Sequence, residues 1–434
     1  MKRGFYTIMA AQFFSSLADN ALFVAAVELI KAGGGPEWQG AALVPMFALF
    51  YVVLAPFVGA FADSRPKGQV MFVSNGIKVL GCLMMLFGSH PLLAYAIVGL
   101  GAAAYSPAKY GILTELLPAS LLVKATGWIE GLTIASIILG VLLGGQLVGP
   151  HIAGFLLSFD FPLIDTPIDS APEAAICMLV FLYLLAAWFN TRIPDTGVAL
   201  IPLRADQQHS LPRHMLALVP DFWRCNRLLW RDKLGQISLA TTTLFWGVSG
   251  NLRYIVLAWS AVALGYTTTQ ASSLVGVIAI GTAVGAVMAS LRTRLSDAPK
   301  LMGLGIAMGL LVLVMNLIDN VWVAAPFFIL LGGLGGFLVV PMNALLQHRG
   351  HNLMGAGRSI AVQNFNEQAC ILALGGLYAL SSAFGLSAFT AIVCFGVIVA
   401  GNMWLIQRWH KSNCVHHAKE VERLLDIARQ DPSH

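Results

Sequence analysis

Residues 301–346 read LMGLGIAMGLLVLVMNLIDNVWVAAPFFILLGGLGGFLVVPMNALL, which is two apolar runs on either side of Asp319-Asn320. Asp319 is the only charged residue in this stretch. A helix needs about 20 mostly apolar residues to cross the hydrocarbon core of a bilayer, and each run is long enough. Because Asp and Asn favour turns, the stretch predicts two membrane-spanning α-helices joined by a short connection.

The rest of the chain repeats this pattern. Of its 434 residues, 57% are hydrophobic and only 11% are charged, whereas a soluble domain has roughly 25% charged residues. A soluble core could not hold so much apolar side chain, so the composition predicts an all-α polytopic membrane protein. Twelve segments are predicted as spans: 5–30, 39–62, 69–89, 91–117, 121–149, 173–191, 236–264, 270–291, 300–318, 321–346, 354–383 and 385–408.

The positions of the basic residues predict the orientation. Lys and Arg accumulate in the cytoplasmic loops of membrane proteins. With a cytoplasmic N-terminus, 22 of the 26 basic residues lie on the cytoplasmic side. Lys78, Lys109 and Arg253 fall within spans, and only Lys31 lies on the external side. We therefore expect both termini in the cytoplasm. We also expect the apolar stretch after Met1-Lys2-Arg3 to stay as a first span, since it continues past Ile30 without a cleavage site.

The longest polar break, from Thr191 to Asp232, predicts a cytoplasmic linker between two six-helix halves. The halves resemble each other weakly, as expected for a duplicated transporter fold. Val123–Gly145 aligns without a gap with Met354–Gly376, and the same shift pairs Asn20 with Asn251. The predicted organisation is an N-terminal half (1–191), a linker (192–235), a C-terminal half (236–409) and a cytoplasmic tail (410–434).

The loop after the second span reads GAFADSRPKG from Gly59 to Gly68. It resembles the GxxxDRxGRR loop of the major facilitator superfamily, and this resemblance implies that Asp63, Arg65 and Lys67 act at a cytoplasmic gate. An ordinary basic cytoplasmic loop is the alternative interpretation. The second half keeps only Arg292 and Arg294 at the corresponding place, so the predicted gate is asymmetric.

Charged residues inside spans cost several kcal/mol and are therefore candidates for function. Asp19 and Arg253 lie at similar depths in the first and seventh spans, close to Asn20 and Asn251. We predict that these four residues face a central cavity and bind substrate; a buried structural pair of Asp19 with Arg253 is the alternative. The cavity would offer an arginine for a phosphate, a carboxylate for an ammonium, and apolar walls.

Other polar residues inside spans complete the candidate site. Lys109 is a further candidate for substrate binding, beside Pro107, which we expect to break the fourth span locally. The alternative is that Lys109 reaches for the membrane surface. Gln363 and Asn364 add polar surface near Glu367, and Glu130 and Glu367 are candidates for ion coupling or for structural hydrogen bonds. Lys78 has no evident partner.

Several strings resemble the lysophospholipid transporter (LplT) family of the major facilitator superfamily. They are AQFFSSLADNALF (11–23), APFVGAFADS (55–64), GLGAAAYSPAKYGILTEL (99–116), LFWGVSGNLRYIVLAW (244–259), GGFLVVPMNALLQ (335–347) and GAGRSIAVQN (355–364). The resemblance implies a flippase in the bacterial inner membrane that moves lysophosphatidylethanolamine and lysophosphatidylglycerol from the outer to the inner leaflet. A cytoplasmic acyltransferase–acyl-carrier-protein synthetase would then reacylate them. We expect a monomer in contact with membrane lipids.

The main alternative function is an ion-coupled antiporter of a soluble solute or drug, since a fold does not settle a function. An enzyme is not expected. Acyltransferases that use the same lipids commonly carry an HxxxxD motif, and no histidine here has an Asp five residues later. The sequence also lacks a nucleotide-binding P-loop, a metal-ligand cluster and CxxC spacing. We expect no cofactor, no metal and no nucleic-acid partner.

The tail spaces its apolar residues like an amphipathic helix around Val421 and Leu424. We expect a solvated tail. The alternatives are that it lies on the inner leaflet or docks a partner.

Overall fold

The structure is a computed structural model that describes residues 3–116, 119–158, 169–197, 211–354 and 356–430. Within these residues all regular structure is helical, as predicted. The α-helices are α1 (Arg3–Ala32), α2 (Glu37–Val53), α3 (Ala55–Asp63), α4 (Lys67–Leu86), α5 (Pro91–Leu116), α6 (Ala119–Leu147), α7 (Pro150–Leu157), α8 (Ala171–Thr191), α9 (Leu211–Arg231), α10 (Gly235–Ala263), α11 (Thr268–Arg292), α12 (Met302–Val314), α13 (Val321–Met354), α14 (Ala356–Ala383), α15 (Ala388–His416) and α16 (Ala418–Gln430). Two 3₁₀ segments, Leu295–Leu301 and Met315–Leu317, flank α12.

Each of the twelve predicted spans coincides with one of these helices or with consecutive helices. By length and hydropathy, eight helices in the described residues can cross a membrane, or nine if the bent pair α2–α3 counts as one span. Helices α10 and α14 are not among the eight. Helix α10 carries Asn251 and Arg253, and α14 carries Gln363 to Glu367. The count of twelve spans and the cytoplasmic termini therefore stay predictions.

Proline bends one predicted span, and the expected break at another proline was wrong. The predicted second span, 39–62, is bent by 65° between α2 and α3. Pro56 explains the bend, because it lacks an N–H and its ring excludes the carbonyl of Val52, which ends the helical hydrogen bonding there. Pro107, in contrast, lies inside the continuous helix α5, so the expected local break of the fourth span is absent.

The chain forms two compact units. The first contains Met1–Val219 together with Tyr266–Gly276, the start of α11. Within it, α1 packs against α6 and α8, and α4 packs against α5 and α8. Gly140 and Gly144 of α6 allow α6 to approach α1 closely. A Cβ at Gly144 would lie 2.6 Å from the carbonyl oxygen of Ala21. Small residues four apart are a common way for membrane helices to approach at backbone distance.

The second unit contains Pro220–Gly265 and Val277–His434. Here α10 packs against α13, α14 and α15, and α12 packs against α15. The segment predicted as a linker, 192–235, contains α9, whose residues from Pro220 onward belong to this unit. Residues 198–210 of that segment lie outside the described part of the chain.

The prediction of a solvated tail was wrong for its helical part. Helix α15 continues to His416, and α16 follows it after a single residue. Val421, Leu424 and Ala428 lie on one face of α16 and are buried, and α16 contacts α15 and the 3₁₀ segment Leu295–Leu301. The apolar spacing therefore docks the tail onto its own chain.

Candidate functional site

A buried charge cluster lies within the first unit. Oδ2 of Asp19 on α1 is 2.7 Å from Nζ of Lys78 on α4, and the hydroxyl of Tyr183 on α8 donates to Oδ1 at 2.7 Å. Lys78 also donates to Oγ of Ser15 at 2.9 Å, and Ser15 donates to Oδ1 of Asn75 at 2.7 Å. We call these five residues the Asp19 cluster.

The two charges of the Asp19 cluster differ in accessibility. The side chain of Lys78 is 2% exposed, whereas that of Asp19 is 18% exposed. The ammonium group of Lys78 also faces the rings of Tyr105 and Tyr183, at 5.1 and 5.6 Å from their centroids. Such contacts stabilise a cation that has lost its water. The cation is therefore enclosed by protein, and the carboxylate is the charge that a ligand can reach.

Lys78 had no evident partner in the sequence, and Arg253 was the possible partner of Asp19. In the structure the partner of Asp19 is Lys78. The signal was present in the sequence, because charges inside a membrane need neutralisation and Lys78 stands on a span of the same half. Asp19 and Asn20 belong to the first unit, and Asn251 and Arg253 to the second. That these four residues face one cavity stays a prediction.

The two asparagines bind backbone carbonyls. Nδ2 of Asn20 donates to the carbonyl of Ser16 at 2.8 Å, within α1. Nδ2 of Asn251 donates to the carbonyl of Gly247 at 2.8 Å and to that of Ile371 at 3.2 Å, which joins α10 to α14. Asn251 is buried and Arg253 is half-buried. Asn251 therefore contributes to helix packing in addition to its predicted role.

Glu367 belongs to a second polar cluster, in the second unit. Nε2 of Gln363 donates to Oδ1 of Asn343 at 2.6 Å and to Oε1 of Glu367 at 2.8 Å. Gln363 and Glu367 are buried, and Asn364 beside them is half-buried. Asn343 lies on α13, so the cluster joins α13 to α14. Gln363, Asn364 and Glu367 were candidates from the sequence, whereas Asn343 was not.

Lys109 is buried in the first unit, with its ammonium group 4.3 Å from the ring centroid of Tyr110. A lysine that reached for the membrane surface would be exposed, so the alternative interpretation of Lys109 is not supported. The side chain of Glu130 lies outside the described part of the structure.

The predicted gate motif contains one residue in a buried ion pair. Nζ of Lys67 donates to the carbonyl of Ala62 at 2.8 Å and lies 3.4 Å from Oε1 of Glu115 at the end of α5. Oε2 of Glu115 accepts a hydrogen bond from Thr196 at 2.7 Å. Arg65 is exposed, and the side chain of Asp63 lies outside the described part of the structure. Glu115 was not among the candidate residues predicted from the sequence.

The second unit has a buried ion pair in a different place. Arg349 on α13 donates to Asp232, just before α10, through Nη2 at 2.6 Å and Nε at 3.1 Å. Arg292 and Arg294, at the place that corresponds to the motif, are exposed. The two units therefore differ in the arrangement of these charges, as the predicted asymmetry of the motif suggests.

Comparison with known proteins identifies the family to which this architecture belongs. The chain matches the Major Facilitator Superfamily over residues 8–366. It is 40% identical over 386 residues to lysophospholipid transporter LplT of Yersinia enterocolitica, which covers 89% of each chain. It is also 40% identical to lysophospholipid transporter LplT of Yersinia pestis strain Pestoides F, over 89% of this chain and 88% of the relative.

Solved structures of transporters share the fold at low sequence identity. A bacterial homologue of the human lysosomal transporter Spinster superposes with a TM-score of 0.65 and 16% identity, over 95% of this chain and 99% of that chain. The nucleoside transporter NupG superposes with a TM-score of 0.65 and 12% identity, over 94% and 99%. These similarities confirm the predicted fold, and the curated relatives are transporters, not enzymes. The chain belongs to the major facilitator superfamily and, within it, to the family of lysophospholipid transporters LplT.

Proposed function

We propose that this protein moves lysophospholipids across the membrane. The observation that carries this proposal is the 40% identity to lysophospholipid transporters over 89% of the chain. More specifically, we propose that lysophosphatidylethanolamine and lysophosphatidylglycerol move from the outer to the inner leaflet of the bacterial inner membrane. An acyltransferase–acyl-carrier-protein synthetase on the cytoplasmic side then reacylates them, and the transporter acts as a monomer.

The chemistry of the candidate site fits a headgroup of this kind. The accessible carboxylate of Asp19 suits an ammonium group, and the guanidinium of Arg253 suits a phosphate because its parallel donors match two phosphate oxygens. Asn20, Lys109, Asn251, Gln363 and Asn364 are the further residues proposed for substrate binding.

Lys78 gives Asp19 a partner when no substrate is bound. A carboxylate alone in the membrane would be strongly unfavourable, and the 2.7 Å contact with Lys78 offsets that cost. Because Lys78 is enclosed by protein, it stays beside Asp19 when an ammonium group of the substrate arrives. The carboxylate of Asp19 then contacts both cations. Asp19 can then bind the headgroup while the net charge of the site stays low.

The remaining charged residues are proposed to couple transport to an ion or to form the cytoplasmic gate. Glu130 and Glu367 are the proposed ion-coupling carboxylates. Asp63, Arg65 and Lys67 are proposed to act at the cytoplasmic gate, with Glu115 as the partner of Lys67. Opening of that gate would break the 3.4 Å contact between Lys67 and Glu115.

The proposal is tested with the full chain in proteoliposomes. Fluorescent lysophosphatidylethanolamine is added to the outer leaflet, and its movement is followed as loss of extraction by albumin. We expect protein-dependent movement of the lysolipid and little movement of the diacyl lipid. Absence of lysolipid movement, together with uptake of a soluble solute under an imposed proton or sodium gradient, would refute the proposal and favour the antiporter. Empty liposomes and heat-inactivated protein are the controls.

A further inference from the structure

Helix α9 has a well-defined inner face in the second unit. Phe222, Cys225, Asn226 and Leu229 are buried. Nδ2 of Asn366 on α14 donates to Oδ1 of Asn226 at 2.8 Å, and Nε1 of Trp230 donates to Oδ1 of Asn366 at 3.1 Å. The indole of Trp230 also stacks on Trp409 of α15, with 6.3 Å between the ring centroids. The helix is therefore anchored to two helices of the bundle.

These contacts show that α9 crosses α14. The rings of Phe222 and Trp223 both contact Phe365, at 5.2 and 5.4 Å between centroids, whereas Trp230 contacts the neighbouring residue Asn366. Residues 222 and 230 are ~12 Å apart along a helix, at 1.5 Å per residue. Because both ends of this interval meet the same point of α14, the contact between the two helices is confined to a short stretch of α14, which indicates a crossing. Since α14 is a predicted membrane span, we expect α9 to lie near the plane of the membrane.

The outer face of α9 combines apolar and basic side chains. Leu216, Trp223 and Leu228 are 66%, 48% and 41% exposed. Three arginines near these apolar residues are also exposed: Arg224, Arg227 and Arg231. The only acidic residue from 216 to 231 is Asp221, which is half-buried and lies 3.5 Å from Arg358 and 3.9 Å from Arg224. The outer face is therefore basic, and it carries two exposed leucines and a tryptophan that remains 48% exposed although one edge of its ring packs on Phe365.

We propose that the outer face of α9, formed by Leu216, Trp223, Arg224, Arg227, Leu228 and Arg231, binds the anionic phospholipid headgroups of the leaflet that surrounds the protein on this side. Arginines on an in-plane helix pair with lipid phosphates, and the leucines and tryptophan insert between headgroups and acyl chains. Tryptophan is enriched at this depth of a membrane. The site is distinct from the Asp19 cluster and does not depend on which lipid the protein transports.

Helix α16 provides a contrast within the same chain. It is also amphipathic and docked by one face, but its other face mixes Lys419 and Arg423 with Glu420, Glu422 and Asp426. A face of mixed charge has no net attraction to an anionic surface. Ile427 is exposed on α16, so position 427 offers a matched control for a label on α9.

The test uses spin labels on the full-length protein in nanodiscs. Leu216→Cys, Leu228→Cys and the control Ile427→Cys are made one at a time in a cysteine-free background and labelled with a nitroxide. Accessibility to oxygen and to a water-soluble nickel chelate then gives the immersion depth. Discs contain phosphatidylcholine alone or with about one third phosphatidylglycerol.

We expect the labels at 216 and 228 to lie at headgroup level and to become several-fold less accessible to nickel when phosphatidylglycerol is present, while the label at 427 stays accessible. The triple substitution Arg224→Gln, Arg227→Gln and Arg231→Gln should remove the dependence on phosphatidylglycerol. These arginines are exposed, so the fold should remain, and normal thermal unfolding checks this. Labels at 216 and 228 that are as accessible to nickel as the label at 427 in both lipids would overturn the proposal. Immersion that is independent of phosphatidylglycerol and of the arginines would also overturn it.

Discussion

At the residue scale, the main feature is the ion pair between Asp19 and Lys78. Two opposite charges inside a membrane protein stabilise it only because each removes the cost of the other. Here two hydroxyls and two aromatic rings complete the surroundings of the pair. A substitution at either position therefore changes stability as well as function, and the two effects have to be separated.

A double-mutant cycle separates them. Lys78→Met leaves Asp19 unpaired and should lower the free energy of unfolding by about 3–5 kcal/mol. Asp19→Asn with Lys78→Met removes both charges, so we expect stability close to that of the wild type, but no lysolipid movement, because the carboxylate is missing. Thermal unfolding in detergent and the liposome assay measure the two effects.

The matched control is the exposed pair Asp297–Lys300, 2.6 Å apart. Its loss should cost less than about 1 kcal/mol because solvent screens exposed pairs. Wild-type transport by the Asp19→Asn/Lys78→Met protein would exclude Asp19 from the binding site.

Arg253→Ala tests the proposed phosphate contact. We expect lysolipid movement to fall to the level of empty liposomes, since an alanine offers no donor to a phosphate. The amount of protein inserted in the membrane should stay unchanged. Arg423→Ala, which changes an exposed arginine of α16, is the control and should transport normally. Normal transport by Arg253→Ala would remove Arg253 from the site and leave the fold assignment intact.

How far the site follows from the sequence differs between residues. Position within an apolar run identified Asp19, Lys109 and Glu367 as charged groups inside spans; Lys109 and Glu367 are buried, and Asp19 is partly exposed. Position alone could not pair Asp19 with Lys78, since a pair needs the rotation of each helix about its axis and the identity of its neighbour. Glu115 and Asn343 were missed for the same reason: each is recognisable only through its contact with Lys67 or Gln363.

At the element scale, the amphipathic segments α9 and α16 lie outside the predicted spans, and both pack against the second unit. Their apolar spacing was visible in the sequence for α16, but the surface that each would cover was not. The bend at Pro56 and the continuity at Pro107 show a similar limit. Proline ends a helix at position 56 and is accommodated inside a helix at position 107. The packing of the neighbouring helices, which the sequence does not display, bears on whether a proline is accommodated.

Cys225 reports the docking of α9. Burial raises the pKa of its thiol, so little thiolate is present at neutral pH and the sulfur is also shielded. We expect a maleimide to react with Cys225 at least about tenfold more slowly than with the exposed Cys414, each as the only cysteine in the chain. Trp230→Ala removes an anchor of α9 and should raise the rate at Cys225 without changing that at Cys414. Equal rates at both sites in the unaltered helix would contradict the docked position.

The docking of α16 is tested by charge insertion. Leu424→Asp places a carboxylate in the buried contact with α15 and the segment Leu295–Leu301. We expect α16 to detach, with faster hydrogen exchange in residues 295–301 and a loss of stability of roughly 2–4 kcal/mol. Ile427→Asp, on the exposed side of the same helix, should leave exchange unchanged. Unchanged exchange in Leu424→Asp would show that the contact does not order this segment.

At the scale of the whole molecule, composition and the pattern of apolar runs were sufficient for the fold class. A run of about 20 apolar residues is hard to bury in a water-soluble protein, and many such runs in one chain indicate helices that span a membrane. The division of the chain into two six-helix halves at the long polar break stays a prediction. The orientation rests on basic residues alone, and a soluble reporter can test it.

We expect a reporter that is active only in the cytoplasm to be active when fused after Arg294 and at the C-terminus, and inactive when fused after Ser387. Twelve spans with cytoplasmic ends require this alternation. Activity at Ser387 would show that the last helices have the opposite orientation. A fusion after Asp319 provides a further external point, because it lies in the turn between α12 and α13.

The pairing of Asp19 with Lys78 also has a consequence for biogenesis. The two residues are 59 positions apart in the chain, and Tyr183 follows Asp19 by 164. At roughly 5–20 residues synthesised per second, Asp19 leaves the ribosome about 3–12 seconds before Lys78. During that interval α1 carries an uncompensated carboxylate, which opposes its release into lipid. We therefore expect the first helix to stay beside the insertion machinery until α4 arrives and the two charges can pair.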